Sequence, residues 1–187
     1  MNYVYGGSFN PPTKAHRKII ELLSNLNDTE KVILIPVGDD YQKPYLAPFK
    51  DRLEMLEQVI CEFPHVIIST IEQDDKYHGT LNSLKSLEKN YKPLSFVIGS
   101  DQIDELPQWI NSKKLLKAYT FVIIQRDRKL SIEDIEKKFS HIPHHFKWIP
   151  FNQEVSATTA RKNIDKRKKI LDPKIIKYIE EHQLYKE

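Results

Sequence analysis

Tyr3-Val4-Tyr5-Gly6-Gly7-Ser8-Phe9-Asn10-Pro11-Pro12-Thr13-Lys14-Ala15-His16 reads as a strand, a glycine pair, a proline pair and the start of a helix. The two glycines accept unusual backbone angles and leave no side chain in the way of a phosphate. Pro11-Pro12 cannot continue a sheet ladder and stiffens the approach to the next helix. Thr13 is a plausible N-cap, and His16, three residues on, shares its face. Helical side chains lean towards the N-terminus, so the imidazole is directed at the anion-attracting end. Amides, a hydroxyl and an imidazole converging there would suit a polyphosphate whose leaving group gains charge. A capped helix with a surface histidine is the plain alternative; the glycine–proline context favours the phosphate reading.

Outward from this stretch, short apolar runs alternate with helical patterns. Val32-Ile33-Leu34-Ile35, Val66-Ile67-Ile68, Phe96-Val97-Ile98 and Phe121-Val122-Ile123-Ile124 read as strands. Between them, residues 17–23, a segment from about Phe49 to Cys61 with Leu53, Leu56 and Ile60, and a segment carrying Leu81, Leu84 and Leu87 read as helices. Near-continuous apolar strands in βα units predict an α/β fold, a Rossmann-like doubly wound parallel sheet with helices on both faces. No repeat or linker interrupts the pattern, so residues 1–187 are expected to form a single domain. Of five glycines, Gly6, Gly7, Gly38 and Gly99 end strands and Gly79 precedes a helix. In open α/β sheets ligands bind at those carboxyl ends.

Composition narrows the function. The chain of 187 residues is 40% hydrophobic and 29% charged, within the globular range. The lone Cys61 cannot form an internal disulfide, so a reducing, cytoplasmic setting is expected. The N-terminal residues lack a basic-then-apolar leader pattern, and no apolar run approaches a membrane span. Net charge is +3, with 11 Lys/Arg against 13 Asp/Glu in residues 1–95 and 18 against 13 in residues 96–187. That modest excess fits an anionic small molecule better than a nucleic acid backbone. Neither nucleic acid nor membrane is expected as a partner, and nothing in the sequence fixes an oligomeric state.

A second candidate anion site is Val155-Ser156-Ala157-Thr158-Thr159-Ala160-Arg161. Ser156 can cap a helix, and Thr158 and Arg161 share a face, giving amides beside a planar donor that matches phosphate oxygens.

Together these two stretches resemble the (H/T)-x-x-H and S-[ST]-T-x-[IV]-R signatures of the nucleotidyltransferase superfamily. Ile98-Gly99-Ser100-Asp101 with Leu106-Pro107-Gln108-Trp109, Gly79-Thr80-Leu81-Asn82-Ser83-Leu84, and the ending Asp172-Pro173…His182-Gln183-Leu184-Tyr185 narrow the likeness. They are similar to segments of nicotinate and nicotinamide mononucleotide adenylyltransferases. The resemblance implies transfer of AMP from ATP to nicotinate mononucleotide, giving deamido-NAD and pyrophosphate in NAD biosynthesis. Mg²⁺ would be carried by the ATP phosphates, with no protein metal site. By the same resemblance His16, Thr13 and Arg161 are catalytic. Gly7, Ser8, Phe9, His16, Gly99, Asp101, Ser156, Thr158 and Arg161 bind ATP, the C-terminal helical part (about 155–187) completing its phosphate site. Lys43 meets the mononucleotide phosphate, Trp109 stacks on the pyridine ring, and Thr80 lies beside the ring's carboxylate or amide.

Departures from the pattern are Ala15, Ala157, Ala160 and Gly79, the last where a tyrosine is frequent. Thr13 and the segment Val37-Gly38-Asp39-Asp40-Tyr41-Gln42-Lys43-Pro44 look more like nicotinamide-using members, which leaves acid or amide preference open. Other readings are another superfamily enzyme such as a pantetheine-phosphate adenylyltransferase, and a nucleotide-sensing or nucleic-acid-binding module using Lys166-Arg167-Lys168-Lys169. Metal binding by His141, His144 and His145 is disfavoured, since adjacent histidines on a helix point apart and no cysteine accompanies them.

Overall fold

The computed structural model of the chain describes residues 1–41, 45–73, 77–126, 131–151 and 164–185. Its strands are β1 (Asn2–Gly7), β2 (Lys31–Pro36), β3 (Val66–Ile68), β4 (Leu94–Gly99), β5 (Thr120–Gln125) and β6 (His145–Pro150). Its helices are α1 (Lys14–Ser24), α2 (Phe49–Ile60), α3 (Thr80–Leu87), α4 (Ser112–Ala118), α5 (Ile132–Phe139), α6 (Ile164–Ile170) and α7 (Pro173–Glu181). The strands form a six-stranded sheet in the order β3-β2-β1-β4-β5-β6. The expected α/β class and parallel sheet are therefore present. The order reverses between β1 and β4, where open sheets of this kind place their ligands.

The chain divides into two compact units, Met1–Gly6 with His78–Gln153, and Gly7–Tyr77 with Glu154–Glu187. In the first, β1 pairs with β4 from Asn2↔Leu94 to Tyr5↔Val97, β4 with β5 from Ser95↔Thr120, and β5 with β6 from Thr120↔His145, all parallel. All six residues of β4 and Phe121 to Ile124 of β5 are buried, as strands covered on both faces must be. Leu81, Leu84 and Leu87 line the buried side of α3, as their spacing predicts.

In the second unit β2 pairs with β3 from Val32↔Val66 to Leu34↔Ile68, also parallel. Helix α1 buries Ala15, Ile19, Ile20 and Leu23. Helix α2 buries Phe49, Arg52, Met55, Leu56 and Val59, so its inward face is offset from the expected Leu53–Leu56–Ile60 stripe. Leu53 and Ile60 are only half-buried because Arg52 occupies an inward position. Asp172 caps α7, accepting Lys174 N–H at 3.0 Å, and Tyr178 docks that helix on α2 through Asp51 at 3.0 Å and Glu54 at 2.8 Å.

Two expectations are revised or given a plain meaning. His144 and His145 do not lie on a helix: His145 opens strand β6, and His144 just before it is held by Glu136 at 2.9 Å. Arg167, Lys168 and Lys169 of the basic run sit in the last turn of α6, where cations complement the helix dipole, and Lys14 Nζ donates to the Lys168 carbonyl at 3.1 Å. No helix among the described residues is long and apolar enough to cross a membrane.

Candidate active site

The loop from β1 into α1 is built around a reciprocal cap. Thr13 Oγ1 accepts the His16 N–H at 3.3 Å, and the Thr13 N–H donates to His16 Nδ1 at 2.9 Å. The capping box normally uses Glu or Gln at this position, and here an imidazole fills the role. Two of the amides expected to face a ligand are thus engaged within the cap. With Nδ1 committed as an acceptor, a neutral ring carries its hydrogen on Nε2. Phe9, 1% exposed, meets the imidazole edge-on with ring centroids 5.2 Å apart. Gly7 and Ser8 are half-buried, and a side chain added at Gly7 would reach Phe9 at 3.3 Å.

Asn10 and Arg52 brace this loop from below, and neither was singled out from sequence. Asn10, fully buried, donates to Tyr45 O at 2.8 Å and accepts from Ala47 N–H at 3.0 Å and Tyr185 O–H at 2.6 Å. Arg52 reaches Ser8 O at 3.2 Å, Val37 O at 2.7 Å, Ala47 O at 2.7 Å and Asp39 Oδ1 at 2.9 Å. Burial lowers its pKa while Asp39 opposes the fall. The available signal was a charged residue at i+3 of Phe49 in an otherwise apolar stripe.

In the other unit, Gly99 ends β4 and Asp101 follows in a short 3₁₀ turn. The Asp101 carboxylate folds over Gly99 so closely that a Cβ there would lie 2.2 Å from Oδ1. Arg126, just past β5, stands 3.9 Å from Asp101, and its buried Nε has no hydrogen-bond partner among the described residues. Tyr5 lies beneath both: burial pushes its phenol up to about 12, with Arg126 lowering it and Asp101 raising it. Arg126 was not anticipated, because a single arginine after a strand carries no spacing signal.

Thr80 opens α3 and is 9% exposed, preceded by Gly79 at φ 93°. That angle is strained for any side chain, and a Cβ would meet Ile110 Cβ at 2.9 Å, so a tyrosine cannot be accommodated at this position in this conformation. Trp109 is half-buried, edge-on to Phe96 at 6.2 Å. Lys43, Ser156, Thr158 and Arg161 lie outside the described residues. Among the described residues, no group of three His, Cys, Asp or Glu side chains is arranged to hold a metal ion.

A parallel sheet with this strand order and a capped Thr13–His16 turn after β1 fits a nucleotidyltransferase, and residues 4–163 match the cytidylyltransferase-like family. A "probable nicotinate-nucleotide adenylyltransferase" of Acholeplasma laidlawii is 34% identical over 100% of this chain and 98% of its own. One from Sulfurimonas denitrificans is 32% identical over 98% and 94%. The solved structure of Plasmodium falciparum nicotinic acid mononucleotide adenylyltransferase complexed with NaAD superposes with a TM-score of 0.82 at 28% identity, covering 98% of this chain and 96% of that one. The same enzyme complexed with APC gives the same values, 0.82 and 28%, over the same 98% and 96%. The chain belongs, within the cytidylyltransferase-like family, to the nicotinate-nucleotide adenylyltransferases, nucleotidyltransferases of NAD biosynthesis.

Proposed function

We propose that the β1–α1 loop performs AMP transfer from MgATP to nicotinate mononucleotide, with deamido-NAD and pyrophosphate as products. The observation that carries this reading is the bond from Thr13 N–H to His16 Nδ1, 2.9 Å, which dedicates Nε2 as a donor. The attacking group is already a phosphate anion, so no general base is needed. Catalysis is positioning plus stabilisation of charge around the α-phosphorus. His16 supplies a pre-set donor there, Thr13 fixes the ring, and Gly7, Ser8 and Phe9 shape the loop against the ATP phosphates. Ser156, Thr158 and Arg161, from the C-terminal part at about 155–187, hold the departing β- and γ-phosphates.

Gly99 and Asp101 take the adenosine ribose. The Nε of Arg126, without a hydrogen-bond partner among the described residues, supports a role for that side chain beside Asp101, since buried donors are rarely left unpaired without a reason. Lys43 receives the mononucleotide phosphate and Trp109 stacks on the pyridine ring. Thr80 stands at the N-terminus of α3, which has no acidic residue in its first turn. The positive end of a helix favours a carboxylate by about 0.3–1 kcal/mol, which supports nicotinate over nicotinamide. The Mg²⁺ ion enters with ATP, held by phosphate oxygens and water.

Pyrophosphate release from MgATP, followed with each mononucleotide in parallel, tests the assignment. The expected result is a preference for nicotinate mononucleotide beyond about tenfold, roughly 1.4 kcal/mol of differential transition-state binding. Equal kcat/KM for the two, or no release with either, overturns it.

A further inference from the structure

The side chain of Arg52 is fully shielded, on the inward face of α2 where the neighbouring stripe positions are apolar. A buried guanidinium is a costly way to fill that place, because an apolar residue of similar volume often gives equal or greater stability. What the guanidinium adds is direction. Its planar donors reach three backbone carbonyls, those of Ser8, Val37 and Ala47, and the Asp39 carboxylate, between 2.7 and 3.2 Å. Asp39 extends the set, since its other oxygen accepts the Phe49 N–H at 3.1 Å. The Phe49 ring lies 5.3 Å from the guanidinium carbon. Three of the four acceptors belong to the connection between β2 and α2, on both sides of Lys43, and the fourth and longest belongs to the β1–α1 loop.

We propose that Arg52 is a positioning residue for the reaction, holding the main chain at Val37, Asp39 and Ala47 in the form that receives the mononucleotide phosphate. The inference rests on the reading that Lys43, within this connection, meets that phosphate. Asn10 works to the same end from the other loop, fixing Tyr45 O and Ala47 N with one buried carboxamide.

Arg52→Lys keeps the charge but loses the planar fork, so one ammonium cannot serve four acceptors. The expected result is a rise of about tenfold or more in KM for the mononucleotide, with the ATP KM and kcat within about threefold. In Arg52→Ala, added guanidinium ion restores part of the lost mononucleotide affinity. Should that variant not fold, Asp39→Asn serves instead, with an expected mononucleotide KM about three- to fivefold above wild type. A folded Arg52→Lys protein whose two KM values stay within about twofold of wild type overturns the proposal, as does an equal rise in both that merely follows a lower Tm. Lys43→Ala separates the two levels: an unchanged mononucleotide KM removes Lys43 from phosphate binding. A raised KM in Lys43→Ala beside an unchanged one in Arg52→Lys removes only the positioning role.

Discussion

His16 and Thr13 hold each other in place: Nδ1 of the imidazole accepts the Thr13 N–H at 2.9 Å, and Thr13 Oγ1 accepts the His16 N–H at 3.3 Å. A hydrogen on Nδ1 would set donor against donor, so this arrangement selects the tautomer with hydrogen on Nε2. His16→Ala is expected to lower kcat by about 10²–10³, the effect of losing one pre-aimed donor to transition-state charge. Thr13→Ala should cost about 1 kcal/mol of stability as a lost N-cap and lower kcat through the untethered ring, while Thr13→Ser should do neither. Steady-state pyrophosphate release and thermal melts check both. A His16→Ala enzyme within about threefold of wild-type kcat removes the imidazole from the chemistry.

Gly79 is a backbone requirement. At φ 93° and ψ 151° it occupies a region open almost only to glycine, and a Cβ there would press on Ile110 at 2.9 Å. Gly79→Ala is expected to destabilise the fold by about 1–3 kcal/mol and to raise the mononucleotide KM, since Thr80 follows directly. Ile110→Ala in the same chain removes the contacts with Cγ2 and Cδ1 but neither the Cβ contact nor the angle, so it should recover at most part of the Tm. Full recovery would mean that crowding alone selects glycine.

Stability should bend with pH around His144. Burial opposes the charge on this ring, but the Ile142 carbonyl at 2.7 Å and Glu136 at 2.9 Å outweigh it, and its pKa lies above 6.5. Burial likewise raises Glu136, yet His144 and the Trp148 indole at 3.1 Å more than compensate, and its pKa lies below 4.5. The raised histidine contributes stability below 6.5 that is lost as pH rises through its folded value. The lowered carboxylate contributes above 4.5 and loses it as pH falls through its own. The pair is therefore most effective between 4.5 and 6.5, and modest in size because Glu136 is 43% exposed. Thermal midpoints should fall more from about pH 6 to pH 8 in wild type than in His144→Gln. Parallel profiles would exclude the pair as the cause.

The central strands were plain in the sequence because parallel strands covered on both faces are apolar at every position, as in Phe121-Val122-Ile123-Ile124. Strand β6 escaped the same test. It is the edge of the sheet, so exposed His145 and Lys147 alternate with half-buried Phe146 and Trp148, and the run looks polar. Helix α5 is short and buries only Ile135 and Phe139, too few to stand out as a stripe. The Thr13–His16 turn was legible because capping is local and its spacing is fixed. Asn10, Arg52 and Arg126 were not, since their partners are decided by loops brought together only on folding. Asn10 meets Tyr185 across 175 positions, and no periodicity carries that information.

Gly38 and Gly99 separate stability from binding. An added Cβ at Gly38 would sit 2.0 Å from the backbone oxygen of Glu72, and at Gly99 it would sit 2.2 Å from Asp101 Oδ1. The overlaps are nearly equal, but a main-chain carbonyl can yield only by moving the loop that carries it, whereas a carboxylate can swing aside. Gly38→Ala should therefore destabilise by about 1–3 kcal/mol, an overpacking cost. Gly99→Ala should stay within about 0.5 kcal/mol of wild type while displacing the Asp101 carboxylate. Its ATP KM should rise about three- to tenfold with kcat nearly unchanged, because only binding common to ground and transition states is lost. Melting curves with ATP titrations at saturating mononucleotide measure both effects. An unaltered ATP KM in Gly99→Ala would take Asp101 out of nucleotide binding, and an unaltered Tm in Gly38→Ala would show that the loop at Glu72 gives way without loss.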